Sequence, residues 1–260
     1  MKKLIKIFFL LTKTSIQSML THQIGVITFL LGKILRFIFY FSFLFFLLEK
    51  TKFLAGYNFN QAIIFFLTFN LIDIISQMVF REVYRFRQQV ISGSLDYYLT
   101  KPYPIFLKIL FGGFDVLDLI TLIPVLILTA YFVFQIPNLL LINIFLFFFL
   151  FINGLLISTG FHILVLSSAV LTSEVDHSIM IFRDLSRMGA ISMDIYKEPL
   201  RSILTFVIPI GIMITYPAKA LLNLLNLQSI FISFLISFFF LFFSLKLWNL
   251  ALKKYQSVGN

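Results

Sequence analysis

Long apolar runs separated by short polar interruptions set the rhythm of this chain. Such runs cover residues 24–48, 60–80, 110–134, 139–171 and 228–250, with a further apolar stretch at 200–222. About 18 or more apolar residues with few charges predict a membrane-crossing helix. A barrel strand would alternate apolar and polar residues at every second position. The run Phe145-Leu146-Phe147-Phe148-Phe149-Leu150-Phe151 does not alternate, and only helices or closed barrels satisfy their backbone groups in lipid. The pattern therefore predicts an all-α membrane protein forming one domain over 1–260, with no room for a soluble catalytic domain. The stretch 139–171 is too long for one upright crossing of ~20 residues and too short for two; one long helix extending into the cytoplasm is expected.

Residues 1–23 follow a different pattern. At about 100° per residue, Lys2, Lys3, Lys6, Lys13 and Gln17 gather on one face and Leu4, Ile7, Phe8, Leu11 and Met19 on the other. That is the signature of an amphipathic helix lying in the membrane interface. Lys6 and Lys13 break the apolar core that a secretory leader needs, and no small-residue cleavage site follows.

Composition agrees with the pattern: 60% of residues are hydrophobic, 12% are charged, and the mean hydropathy is +1.00. The absence of cysteine excludes disulfides and cysteine-ligated metal or iron–sulfur centres. The net charge of +10 is informative by position. Lys2, Lys3, Lys6 and Lys13 in 1–23, Arg81, Arg85, Arg87, Lys101 and Lys108 in 81–109, and Lys246, Lys253 and Lys254 in 246–260 outnumber nearby acids. Basic excess marks cytoplasmic segments, so both termini and the 81–109 loop are expected inside the cell, at the plasma membrane. The charge then reflects orientation and contact with anionic lipid, not nucleic acid.

Polar residues inside the apolar runs narrow the picture further. Lys33 and Arg36 lie in the first crossing, where a mid-bilayer charge costs about 2.5–3.5 kcal/mol, and both are expected to snorkel. Asn70, Asp73, Gln77 and Arg81 fall within an arc of about 80° on the second crossing. This stripe faces protein, either lining a pathway or bonding to a neighbouring helix. Asp73 stands out as the one deep acid. Gly93 is a natural helix stop, and Pro102 and Pro104 restrict the residues before them to extended or turned backbone. The third crossing begins near Gly112-Gly113, and carboxylates such as Asp115 and Asp118 are favoured at a helix start. His162 reads as a hydrogen-bonded structural residue. His22, His162 and His177 show no His-Glu-x-x-His spacing or triad, so an intramembrane enzyme is disfavoured. Residues 172–199 read either as a cytoplasmic loop or as a weakly apolar fifth crossing. Pro209 and Pro217, with Gly211 between them, predict a broken or re-entrant helix, which is tolerated at membrane depth only where buried or lining a cavity.

Three motifs in order carry a family resemblance. They are Gly93-Ser94-Leu95-Asp96-Tyr97-Tyr98-Leu99 through Lys101-Pro102, then Phe114-Asp115, then Leu204-Thr205-Phe206-Val207-Ile208-Pro209 with Tyr216-Pro217-Ala218. The chain resembles the permease subunits of type-2 ATP-binding-cassette transporters, in a six-helix branch, over nearly its whole length. Ser186-Arg187-Met188-Gly189 departs from the pattern, since such permeases often carry Tyr-Pro after Ser-Arg. The resemblance implies an interfacial helix (1–23), six membrane helices (24–48, 60–80, 110–134, 139–171, 175–193 and 228–250), a cytoplasmic coupling loop (81–109) and an outer re-entrant region (194–222). It implies an exporter working as a dimer, with an identical or related second permease, driven by a separate ABC ATPase. No Gly-x-x-x-x-Gly-Lys-Ser/Thr loop is present, so ATP and magnesium belong to that partner, and this chain is expected to carry no cofactor, metal or catalytic residue. Glu82, Arg85, Arg87, Leu95, Asp96 and Tyr97 are the expected ATPase-coupling residues. Asn70, Asp73, Pro209, Tyr216 and Pro217 are the expected pathway or outer-gate residues. A stand-alone ion-coupled transporter is the alternative, although such proteins are usually built from internal repeats and none is evident.

Overall fold

The computed structural model describes residues 23–86, 105–113, 115–172 and 175–254, with isolated positions at 10, 12, 13, 17, 89, 92, 93, 95, 97 and 100. The expected interfacial helix, most of the loop from 87 to 104, and the tail after 254 lie outside the described residues.

The fold is a helical bundle. Its elements are α1 (Gln23–Thr51), α2 (Phe59–Val79), a tight 3-10 turn (Arg81–Arg85), α3 (Ile105–Leu110), α4 (Val116–Phe134), α5 (Leu141–Thr172), α6 (Val175–Met188), a bent pair of arms (Leu200–Val207 and Gly211–Leu221) and α7 (Leu227–Lys254). Five helices are long and apolar enough to cross a membrane, or six if the bent pair counts as one. The 23–51, 59–79, 116–134, 141–172 and 227–254 helices match the predicted runs within a few residues, except that the third begins at Val116 because Gly112 and Gly113 sit in the preceding turn.

Local chemistry explains the ends. Asn58 and Gln61 form a reciprocal capping box at the start of α2, each side chain meeting the other's backbone N–H at 3.0 Å. The Asp115 side chain accepts from Leu117 N at 3.0 Å and caps α4. Asn138, at φ +55°, turns the chain between α4 and α5, and Gly93 at φ +69° has the left-handed backbone that stops a helix.

The core forms around α2, most of whose residues are buried, whereas few of those in α1 are. Lipid is as apolar as a leucine side chain, so close packing must hold membrane helices together. Small residues provide it where α5 meets α7: Ser233, Ser237 and Ser244 are fully buried, and a Cβ on Gly160 would come within 2.7 Å of the Phe240 ring. α1 leans on α2 through Tyr40 stacked on Phe66 at 4.6 Å and Phe37 beside the same ring at 5.2 Å.

The segment expected as a fifth crossing, 175–193, is a helix only as far as Met188, 14 residues in all. At 1.5 Å per residue it spans about 21 Å, short of a hydrocarbon core of about 30 Å, and it is not among the helices apolar enough to cross. The chain still runs along the bundle. Ser178 meets Ser168 at 2.7 Å, Phe182 packs on Phe161 and His162, Gly189 abuts Ile214, and Asp194 reaches Tyr57 between α1 and α2.

Candidate functional site

Two polar clusters occupy opposite ends of the bundle. The first lies where α1, α2 and α4 meet the 81–115 segment. Lys33 pairs with Asp118, Arg36 with Asp73 at 3.2 Å, and Arg81 with Asp115 at 3.0 Å. Lys33 and Arg36 therefore do not simply snorkel: each meets a carboxylate on another helix. Asp118 is the more buried acid of the two, its side chain wholly buried against 16% exposure for Asp73. The described ends of the 81–115 segment, 81–86 on one side and Gly112 and Asp115 on the other, are tied down around this cluster. Asp115 N donates to Met78 O at 3.2 Å, and Glu82 lies so close to Gly112 that a Cβ there would stand 2.6 Å from its Cγ. Phe80 packs on the His162 ring at 4.5 Å, and the Tyr84 hydroxyl lies 3.4 Å from His162 Nε2. His162 Nδ1 lies 2.8 Å from Ser158 O, a carbonyl that only an N–H can satisfy, which leaves Nε2 as the acceptor for Tyr84. Burial, reinforced by the Asp73 charge, pushes the Tyr84 phenol above its ordinary range.

The second cluster centres on Asp194. Tyr57 donates to its carboxylate at 2.6 Å, Lys219 reaches both oxygens at 2.9 and 2.7 Å, and Arg201 lies at 2.6 Å. Burial alone would raise this carboxyl, but the hydrogen bonds from Lys219 and Tyr57 and the lysine charge outweigh it and hold it below the usual carboxylate range. Burial and the bond to Asp194 push Tyr57 the other way, upward. Arg201 belongs to the first arm of the bent pair and Lys219 to the second, so both arms open towards one carboxylate. The arms meet at 77° around Ile208-Pro209-Ile210. Each carries a widened turn, with Ile208 N bonded to Ile203 O and Tyr216 N to Gly211 O, five residues back. Such turns recur at functional sites. Between the arms lies a polar cleft of about 230 Å³, lined by Glu198, Thr205, Thr215 and Tyr216 beside the charged trio. Among the described residues no group of three or more His, Cys, Asp or Glu could hold a metal.

The membrane helices, the clamped 81–115 segment and the bent pair follow one another in the order the sequence motifs predict. The sequence matches the family model of the ABC-2 family transporter protein over residues 9–259. The chain belongs to the ABC-2 family. No curated protein and no solved structure matches it. This ABC-2 chain is thus a multi-pass membrane protein of a family of permeases that carry no ATPase domain themselves, and membership implies an ABC ATPase partner.

Within this ABC-2 permease the expected coupling residues are unevenly placed. Leu95 is fully buried and Tyr97 is 60% exposed. Glu82 bonds to Gln89 at 2.6 Å and lies 3.8 Å from Arg85. Arg87 and Asp96 lie outside the described residues. The expected pathway residues lie in or beside two separate clefts. Asn70 lines a cleft between α1, α2 and α4, its amide donating to Phe66 O at 2.8 Å, and Asp73 holds Arg36 behind it. Pro209 sits at the bend, Tyr216 lines the cleft between the arms, and Pro217 is buried beside it. Sequence reasoning missed Asp194, Arg201, Lys219 and Tyr57 as a group. Tyr57 and Asp194 are 137 positions apart, so no helical spacing could have joined them.

Proposed function

We propose that this chain is the membrane-spanning subunit of an ABC exporter in the plasma membrane, working as a dimer with an identical or related permease, with both termini in the cytoplasm. A separate ATPase docks on the 81–109 segment and supplies ATP and magnesium. Family membership over 9–259 carries the reading, and the mechanical layout of the 81–115 segment supports it. Phe86 and Leu95 are fully buried anchors, Tyr97 projects outward, and Phe80 and Tyr84 press on His162 of α5. A push on this segment meets α5 directly. α5 in turn touches the bent pair where Gly154 faces Met213 O. ATP-driven movement of the ATPases biases two arrangements of the bundle through such contacts, because a ligand shifts an equilibrium only by its differential affinity for the two states.

The test is co-purification of the full chain with its cognate ABC ATPase, comparing wild type with the Asp96→Arg, Tyr97→Ala double variant. Co-elution with wild type and loss in a folded double variant is the expected result. Equal binding by both would sink the docking assignment. Transport driven by a proton or sodium gradient without ATP would favour the ion-coupled carrier instead.

A further inference from the structure

A cleft of about 310 Å³ opens between α1, α2 and α4, within the size range of ligand sites. Its walls are mostly apolar, with Asn70 and Thr121 the uncharged polar residues among them, and Lys33 and Arg36 supply its charged groups. Their carboxylate partners do not line it. The Asp118 side chain is fully buried, and that of Asp73 is 16% exposed against 43% for Arg36. The pairs are neutral overall, but the charge presented to the cleft is cationic. Among the described residues the Arg36 guanidinium meets a carboxylate only through Nη2, on Asp73 Oδ2; a guanidinium carries five N–H donors.

The depth of these charges matters. Asp118 lies in the first turn of α4, so Lys33 stands near the start of that helix, and Arg36 is about one turn further along α1. α4 has 19 residues, about 28 Å, close to the hydrocarbon thickness of about 30 Å. The cations therefore lie at the edge of the core. The apolar lining continues inward from Thr121 through Pro124 and Val125 to Leu128, about 10 Å of helix. Charge at the interface with an apolar channel leading inward is the polarity of a phospholipid. The mouth is flanked by exposed apolar side chains, Ile34, Ile38 and Ile120, so a lipid can enter sideways from the bilayer.

We propose that this cleft is a binding site for an anionic phospholipid of the surrounding bilayer, its phosphate against Arg36 and Lys33 and one acyl chain along Pro124 to Leu128. This site does not depend on the transport reading; it needs only that the bundle sits in a membrane.

The full chain is reconstituted in nanodiscs of phosphatidylcholine containing a minor share of phosphatidylglycerol. Retained lipid is read by native mass spectrometry, and stability by thermal unfolding. Wild type retains phosphatidylglycerol in preference to phosphatidylcholine and melts higher in its presence. Arg36→Gln and Leu128→Trp, the second filling the cleft with both ion pairs intact, each lower that preference by about fivefold, the scale of one basic residue against an anionic lipid. Lys50→Gln, removing an exposed cation at the far end of α1 from the cleft, leaves it unchanged. If Arg36→Gln does not fold, Leu128→Trp decides alone. Equal retention of both lipids by wild type, no loss in Leu128→Trp, or an equal loss in Lys50→Gln overturns the proposal. Displacement of the lipid by inorganic phosphate would also overturn it, by showing a simple anion site.

Discussion

Removing the Lys33 ammonium strands the buried carboxylate of Asp118, whose Oδ2 already has no hydrogen-bond partner among the described residues. Breaking one side of a buried pair costs about 3–5 kcal/mol, whereas replacing both sides is often neutral. Lys33→Met is therefore expected to lower the thermal unfolding temperature in detergent markedly, and Lys33→Met with Asp118→Asn to recover most of the loss. Additive losses in the double variant would show that the pair is not coupled. Gly154 makes a second residue-level case. A Cβ there would stand 2.4 Å from Met213 O, a backbone atom that cannot swing aside. Gly154→Ala is expected to destabilise by about 1–3 kcal/mol, the usual cost of overpacking, while Gly25→Ala, with nothing among the described residues within 4 Å, should have no comparable effect. The first turn of α4 was legible as a place for acids, and Asp115 does cap it. The fate of Asp118 was not, because its partner is 85 positions away on a helix of similar apolarity.

The bent pair depends on the ionisation of Asp194. Its carboxyl is held below the ordinary value of about 3.9, so its contribution to folding is fully present above that value. It is lost as the pH falls through the lowered folded value. Acidification below about pH 4 is expected to loosen the arms, read as faster thiol labelling of a Thr205→Cys variant. Asp194→Asn should show that faster labelling already at neutral pH. A labelling rate indifferent to both changes would remove Asp194 as the tie. At this scale the sequence was informative about disruption and weaker on geometry. Pro209, Gly211 and Pro217 predicted a break, but the widened turns on either side depend on tertiary contacts such as Thr205 beside Gly211. Likewise α6 was hard to read because Asp176, Arg183, Asp184 and Arg187 dilute its apolar face, and its buried side, Ile179 and Phe182, is short.

Long apolar runs made the bundle as a whole legible, since nothing but a membrane helix accommodates them; how the helices pair was not, because every face is apolar. The structure places the 135–140 and 222–226 turns at the same end, where Leu221 shares an apolar cleft with Phe134, and Asn60 bonds to Gln135 at 3.3 Å. The 81–115 segment lies at the other end. A chain without cysteine is a clean background for testing this. Asn138→Cys and Leu224→Cys should react with a membrane-impermeant thiol reagent from one side of sealed vesicles, and Ser92→Cys from the other. Labelling of all three from one side would contradict the arrangement.

Asp194 joins the α1–α2 connection, the first arm and the second arm through a single carboxylate. Three separate segments share one anchor, each through its own donor. Loss of any one donor leaves the other two held, whereas loss of the carboxylate frees all three at once. A fastening of this kind tolerates the departure of any one strap and fails through its hub: the arms stay tied to the α1–α2 connection for as long as that single side chain keeps its charge.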